Sequence, residues 1–294
     1  MNETNNQDNF VNPKTNDKIV VIIGASTKLG STIAINMKQS GYNVIIGGKE
    51  TSSLVKLQQM GIVTFSLDIK DKVSVERFII QISKFVQKID VLINTVDEAT
   101  FYPFEMSTIN SARNMFEENV FAPADLIVKM IPMLERTGQI NSDINPSKII
   151  HITSIASRMA MPLSSWYSST NHAIDGLMDG IRPEFRKMKI QVVTIQTGLL
   201  RQEDSATQQD FMEINNEKYT NLMNKVSLKT KDIRSGGVSA DSIARLTEKV
   251  VKTKAPRTKY IIGREAKFIS LIQRIFGQKI AEAIIRKTFH NFGN

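Results

Sequence analysis

Short apolar runs recur along the chain, with amphipathic stretches between them. The first is Lys18–Ile23; Asn43–Ile46, Ile62–Ser66, Ile89–Asn94, Lys148–Thr153, Gln191–Gln196 and Lys259–Ile262 follow. Each is rich in Val and Ile and lacks polar alternation, the pattern of parallel strands buried on both faces. Between the runs, apolar residues return at near-helical spacing: Val73, Phe78, Ile82 and Phe85–Val86 in one stretch, Leu126, Met130 and Met133–Leu134 in another. Strands alternating with helices in this way predict an α/β fold, a doubly wound Rossmann-type sheet of seven parallel strands flanked by helices. No repeat or composition break interrupts residues 18–263, which read as one domain. Residues 1–17, polar and Asn-rich, read as a disordered arm. Gln202–Val226, polar with scattered apolar positions, reads as a lid over a ligand crevice.

Composition narrows the chemistry. Hydrophobic residues make up 41% and charged residues 23%, an ordinary soluble balance. Cys is absent, which excludes disulfides, thiol nucleophiles and thiolate metal sites. The three His (His151, His172, His290) are widely spaced, so no metal site is predicted. No apolar run approaches the roughly 18 residues that span a bilayer. The polar start lacks the basic-then-apolar order of a secretory signal, and the expectation is a cytoplasmic protein. The net charge of +9 is concentrated at the end of the chain. Ten Lys and Arg from Lys252 onward face only Glu265 and Glu282. Residues 264–294 therefore read as basic amphipathic helices on or beside the domain. They form either a solvated face or a peripheral contact with an anionic membrane or acidic partner. No nucleic-acid-binding motif accompanies the charge, so nucleic acid is not a predicted partner.

The first apolar run leads directly into Gly24-Ala25-Ser26-Thr27-Lys28-Leu29-Gly30-Ser31, and a helical pattern (Ile33, Ala34, Met37) follows. A glycine turn between a first strand and a first helix lets the backbone approach a pyrophosphate and aims the helix N-terminus at it. A tight structural turn would look the same.

With the motifs downstream, the chain resembles the short-chain dehydrogenase/reductase family, as a divergent member. The family's Thr-Gly-x-x-x-Gly-x-Gly turn appears with Gly24 and Gly30 matched, Ile23 for the Thr and Lys28 for the middle Gly. Asp68-Ile69 matches the Asp-Val pair that holds the adenine. Asn94 opens the Asn-Asn-Ala-Gly segment, continued here by Thr95, Val96 and Asp97. Asn119 matches the helix Asn of the catalytic group. Thr153-Ser154 resembles the segment of the catalytic Ser, and Tyr167 follows at the family's spacing. Thr197-Gly198 stands for the Pro-Gly after the sixth strand. The Lys four residues after the Tyr is replaced by Asn171.

The resemblance implies hydride transfer between a nicotinamide cofactor and a small-molecule carbonyl or alcohol. Tyr167 would be general acid in reduction and general base in oxidation, Ser154 would hold the substrate oxygen, and Asn119 would anchor a water relay. The family's Lys holds the nicotinamide ribose and lowers the Tyr pKa; Asn171 could bond the ribose but carries no charge. An unperturbed Tyr is ionised in only about one molecule in a thousand at pH 7, so oxidation should suffer more than reduction. His172, turned about 100° around the helix, is expected to be an ordinary helix residue. Cofactor contacts fall on Gly24, Ser26, Thr27, Lys28, Leu29, Gly30, Lys49, Asp68, Ile69, Asn94, Thr197 and Gly198. Lys28 either blocks the pyrophosphate or binds a phosphate, and Asp97 would repel phosphate. Lys49, where an acidic residue would select NAD, points to NADP, although Glu50 beside it argues for NAD.

Two readings stand. One is an NADPH-dependent reductase with a weakened acid, acting on a fairly apolar carbonyl near Met159, Met161, Trp166, Phe211 and Met212. The other is a catalytically silent nucleotide-binding or scaffold module, with no cofactor if the site has decayed. Family analogy also suggests a homo-oligomer, dimer or tetramer, through Pro123–Arg136 and Ser165–Lys187.

Overall fold

A computed structural model describes residues 18–49, 52–140, 146–204, 210–211, 216–277, 279–281 and 283. The arm at 1–17, Glu50, Met212 and most of the tail beyond α9 (defined below) lie outside the described residues.

The strands are β1 (Ile19–Ile23), β2 (Asn43–Gly48), β3 (Val63–Ser66), β4 (Val91–Asn94), β5 (Thr100–Phe101), β6 (Ser147–Ser154), β7 (Ile190–Thr197), β8 (Asp210–Phe211) and β9 (Lys259–Ile262). Seven form one sheet in the order β3-β2-β1-β4-β6-β7-β9, every neighbouring pair parallel. The seven-stranded Rossmann-type sheet expected from the apolar runs is therefore present, as a single domain. β5 and β8 pair separately; two residues each are too few to leave a pattern.

The helices are α1 (Lys28–Gln39), α2 (Ser52–Gln59), α3 (Lys72–Phe85), α4 (Ile109–Phe116), α5 (Ala122–Ile140), α6 (Ser165–Arg186), α7 (Glu217–Ser235), α8 (Ala240–Lys252) and α9 (Arg264–Phe276). Two apolar layers hold them to the sheet. Phe78, Ile82, Leu126, Met130, Ile174 and Met178 pack α3, α5 and α6 on one face. Ile33, Met37, Ile243 and Val250 pack α1 and α8 on the other. Of residues 202–226, where a lid is predicted, the described ones form a 3₁₀ turn at Gln202–Asp204, β8 and the first half of α7, and the rest lie outside the described residues.

Strand order reverses between β1 and β4, and such a switch point opens a crevice at the strand ends. Register fixes what meets there. Ile23 lies opposite both Gly47 and Asn94, so the glycine turn emerges between β2 and β4. Ser154 lies opposite Thr197, and Thr197 opposite Ile262. α9 leaves β9 through Gly263, whose φ of 116° suits only glycine. Ala266 is buried, whereas Phe268, Leu271, Ile275 and Phe276 are exposed. No helix among the described residues is long and apolar enough to cross a membrane.

Candidate active site

The glycine turn is built by close backbone approach. Gly24 has φ 84°, and a Cβ there would lie 2.7 Å from Thr95 Oγ1. A Cβ on Gly30 would lie 2.5 Å from the Gly24 carbonyl oxygen, which nothing flexible could relieve. Thr27 closes the turn: its hydroxyl accepts from the Gly30 N–H (3.1 Å) and donates to the Gly24 carbonyl (3.0 Å). It is thus the N-cap of α1, leaving first-turn N–H groups at the crevice. The Ser26 hydroxyl donates to the Lys49 carbonyl (3.0 Å), tying the turn to the end of β2. Lys28, the first residue of α1, is exposed and stands outside the cavity wall, so it does not block the turn.

A cavity of about 460 Å³ opens at the switch point. Of the expected cofactor residues, Gly24, Ser26, Thr27, Leu29, Lys49, Ile69, Thr197 and Gly198 line it. Ser154 and Tyr167 line it too, with Met159, Met161 and, from α9, Phe268 and Ile269. Trp166 does not; its indole N–H donates to Ser107 Oγ (2.9 Å). Turn and helix N-terminus together fit a nucleotide diphosphate, with exposed Lys49 beside them at the end of β2.

Several expected residues work behind the wall. Asp68 accepts from the Lys70 N–H (3.1 Å). Asn94 accepts from the Val96 N–H (3.1 Å) and meets His151 Nδ1 at 3.0 Å through its amide nitrogen. Burial pulls His151 down to about 4, so it is neutral at physiological pH. Asn119 sits in a π-helical turn, Glu117–Phe121, between α4 and α5. There its amide accepts from the Glu98 N–H (2.8 Å) and donates to the Glu98 carbonyl (2.7 Å) and Thr170 Oγ1 (3.2 Å). That clamp holds the segment carrying Asp97 against α6.

Asp97 is the main departure from expectation. It lines the cavity with both of its oxygens engaged inside the protein. Its Oδ2 accepts the Tyr167 hydroxyl at 2.7 Å and its Oδ1 accepts Asn171 Nδ2 at 3.2 Å. The other end of the Asn171 amide accepts from Thr153 Oγ1 (2.6 Å) and the Ser154 N–H (3.1 Å). Asn171 is buried and engaged at both ends inside the protein, rather than being open to a ribose hydroxyl. His172 Nδ1 meets the Ser168 carbonyl (2.8 Å), as expected of a plain helix residue.

Charge at this cluster is the reverse of the family's. Burial raises the Asp97 carboxyl to about 6, against the pull of the Tyr167 and Asn171 donors. Burial, and then the Asp97 charge, push the Tyr167 phenol well above its ordinary value; the Ser154 hydroxyl opposes them. The absent Lys would have pulled the phenol down; a carboxylate now pushes it up.

Sequence reasoning missed Arg234 and Glu265, both on the cavity wall. The signal for Arg234 is its place on the buried stripe of α7, Met223, Val226, Thr230 and Arg234, where an apolar residue is the ordinary occupant.

Comparison with known proteins agrees with the architecture. A family model described as short chain dehydrogenase matches residues 18–213. The chain is 22% identical over 268 residues to a probable short-chain type dehydrogenase/reductase, VdlC, of Helicobacter pylori, covering 91% of this chain and 96% of that one. It is 22% identical over 276 residues to an NADPH-dependent 3-dehydrocapnine reductase of Ornithobacterium rhinotracheale, covering 92% and 96%. A crystal structure of a short-chain dehydrogenase from Streptomyces avermitilis superposes with a TM-score of 0.79 at 20% identity, covering 95% and 99%.

Proposed function

We propose that the chain, which belongs to the short-chain dehydrogenase/reductase family, reduces the carbonyl of a fairly apolar small molecule with NADPH. In this reading Tyr167 is the proton donor and Asp97 the group that resupplies its proton. The observation that carries it is the Tyr167–Asp97 hydrogen bond on the wall of a cavity shared with the glycine turn. When bound, the cofactor supplies the hydride. Gly24, Ser26, Thr27 and Leu29 would hold its diphosphate, Ile69 its adenine side and Lys49 its 2′-phosphate, while Thr197 and Gly198 would border its nicotinamide end. Lys49 and the NADPH-dependent relative support the choice of NADPH.

The proton path follows from the geometry. In reduction, Tyr167 Oη gives its proton to the carbonyl oxygen and takes another from the Asp97 carboxylic acid. In oxidation, Oη accepts the alcohol proton while passing its own to the Asp97 carboxylate. The oxidative direction thus needs no free phenolate, which offsets the loss of the Lys. Asp97 titrates at about 6. Reduction should therefore rise as pH falls toward 6, and oxidation as pH climbs above it.

A catalytically silent module is the second reading, favoured by one observation: Asp97 already occupies the Tyr167 hydroxyl and the Asn171 amide. One experiment separates the two. NADPH and NADH are titrated by fluorescence and thermal shift, and NADPH oxidation is then followed with aldehydes and ketones from about pH 5 to about pH 8. NADPH at 100 times its dissociation constant should stabilise the fold by about 2.7 kcal/mol, and more than NADH does at equal concentration. Tight binding without turnover at any pH leaves the silent module; absence of binding removes the reductase.

The same reading gives α9 an anionic bilayer as its partner. Its exposed Phe268, Leu271, Ile275 and Phe276 share one short helix with Lys267 and Arg274, and it roofs the cavity through Phe268 and Ile269.

A further inference from the structure

A guanidinium stands on the cavity wall with no side-chain partner among the described residues. Arg234 is only 6% exposed. Its Nε is buried and has no hydrogen-bond partner. Of the carboxylates sharing that wall, Glu118 pairs with Lys70 (2.9 Å) and Glu98 belongs to the segment clamped by Asn119. Asp97 is held by Tyr167 and Asn171, and Asp204 accepts from the Ala240 N–H (3.0 Å) at the start of α8. Glu265 lies against Gly198, its buried Oε1 likewise without a hydrogen-bond partner among the described residues. None of these carboxylates is ion-paired with Arg234 among the described residues.

Arg stays charged in proteins, and an unpaired buried charge is costly to keep. Nothing in the packing of α7 requires one at this position: Met223, Val226 and Thr230 fill the rest of the buried stripe without charge. A ligand that completes the fork would recover the cost, and the planar guanidinium matches a carboxylate or phosphate through two parallel hydrogen bonds. Placement indicates which part of a ligand that is. α7 packs Met223 and Val226 into one apolar cluster with Tyr167, and Arg234 on the same buried stripe shares the cavity wall with Tyr167, so it serves the reacting end of the cavity. Met159, Met161 and Phe268 supply apolar wall in the same cavity.

Building on the reductase reading, we propose that Arg234 anchors an anionic group on the substrate, making the preferred substrate an oxo acid with an apolar chain. The anion sits on the fork, the carbonyl meets Tyr167 and the chain lies along the Met and Phe side chains. The alternative source of the same chemistry is the diphosphate of the nucleotide, and the test separates them.

The probes are 3-oxododecanoate and its methyl ester for turnover with NADPH, and decanoate and decanol for binding by calorimetry. The acid should exceed the ester in kcat/KM by about thirtyfold or more, and Arg234→Met should remove most of that ratio. Decanoate should bind more tightly than decanol, lose about thirtyfold in affinity in Arg234→Met and recover part of it in Arg234→Lys. Arg234→Met replaces a buried charge with an apolar chain of similar length, so it should fold with no lower melting temperature; should it not fold, Arg234→Lys carries the comparison. An unchanged acid-to-ester ratio in the variants overturns the anchor. So does a loss of NADPH affinity with decanoate affinity intact, which gives the fork to the diphosphate. Decanoate bound through Arg234 without turnover of any oxo acid sinks the reductase reading and leaves the anchor. Acid and ester reduced alike does the opposite.

Discussion

The glycine turn and the Tyr167 cluster wall one cavity but are held by opposite means. The turn is backbone geometry: two glycines that admit no Cβ, a threonine cap and a strand end close beside it. The cluster is side-chain electrostatics: a half-buried carboxylate, a phenol, an amide and a guanidinium whose Nε has no partner among the described residues. Both depart from the family's sequence, with different results. Lys28 replaces a glycine at the turn yet faces solvent, and the geometry is unharmed. Asn171 replaces a lysine in the cluster, Asp97 replaces a glycine, and together they invert the local charge. A departure that reaches solvent leaves its region as it was; a departure inside a buried network changes the chemistry of its neighbours.

Removing the phenol should separate the two regions most sharply. Tyr167→Phe should lower turnover by about a hundredfold or more, while the NADPH dissociation constant stays within about twofold. Turnover near wild type would mean that the proton comes from elsewhere. A parallel loss of NADPH affinity would mean that the two regions are not independent.

A smaller effect belongs to the carboxylate. Asp97 takes up a proton at about 6 in the folded protein, against an ordinary value of 3.8. Between those values the folded state holds a proton that the unfolded state has lost, so stability falls as pH rises through that window. Asp97→Asn should therefore be up to about 3 kcal/mol more stable than wild type above pH 6, with the gap closing below about pH 4. His151, held near 4, works with the opposite sign as pH falls below 6.5, so it is the wild-type-minus-variant difference that isolates Asp97. Urea unfolding at several pH values measures the gap. The inflection near 6 in the rate profile should vanish with it, and its persistence would assign that inflection to another group.

The smallest effect falls on the roof. Vesicles containing phosphatidylglycerol should retain the protein more than neutral phosphatidylcholine vesicles, by a margin that shrinks as salt rises. Equal retention on both removes the bilayer from the picture.

What the sequence discloses follows the same division. Every strand of the large sheet announced itself as an apolar run; in the central strands burial on both faces leaves no room for polar alternation, while the edge strands β3 and β9 are only partly buried. The glycine turn was legible because its chemistry is local and contiguous. The Tyr167–Asp97 contact was not, since it joins residues 70 positions apart and depends on the end of β4 meeting α6. The π-helical turn that aims Asn119 left no pattern in five residues. Arg234 was hidden by its surroundings: α7 is polar nearly throughout, and its thin buried stripe shows only once the helix is seated. The start of α7, inside the segment expected to form a lid, left no helical signal for the same reason.

Gly198 has a consequence beyond its own position. Its amide donates to the Ile262 carbonyl at 2.7 Å, and a Cβ there would run into the Glu265 carboxylate in the first turn of α9. The missing side chain leaves the Glu265 carboxylate room to fold against the floor of the cleft. A methyl added there would swing that flexible carboxylate aside, so a residue expected to border the cofactor also decides where the roof helix rests its negative charge.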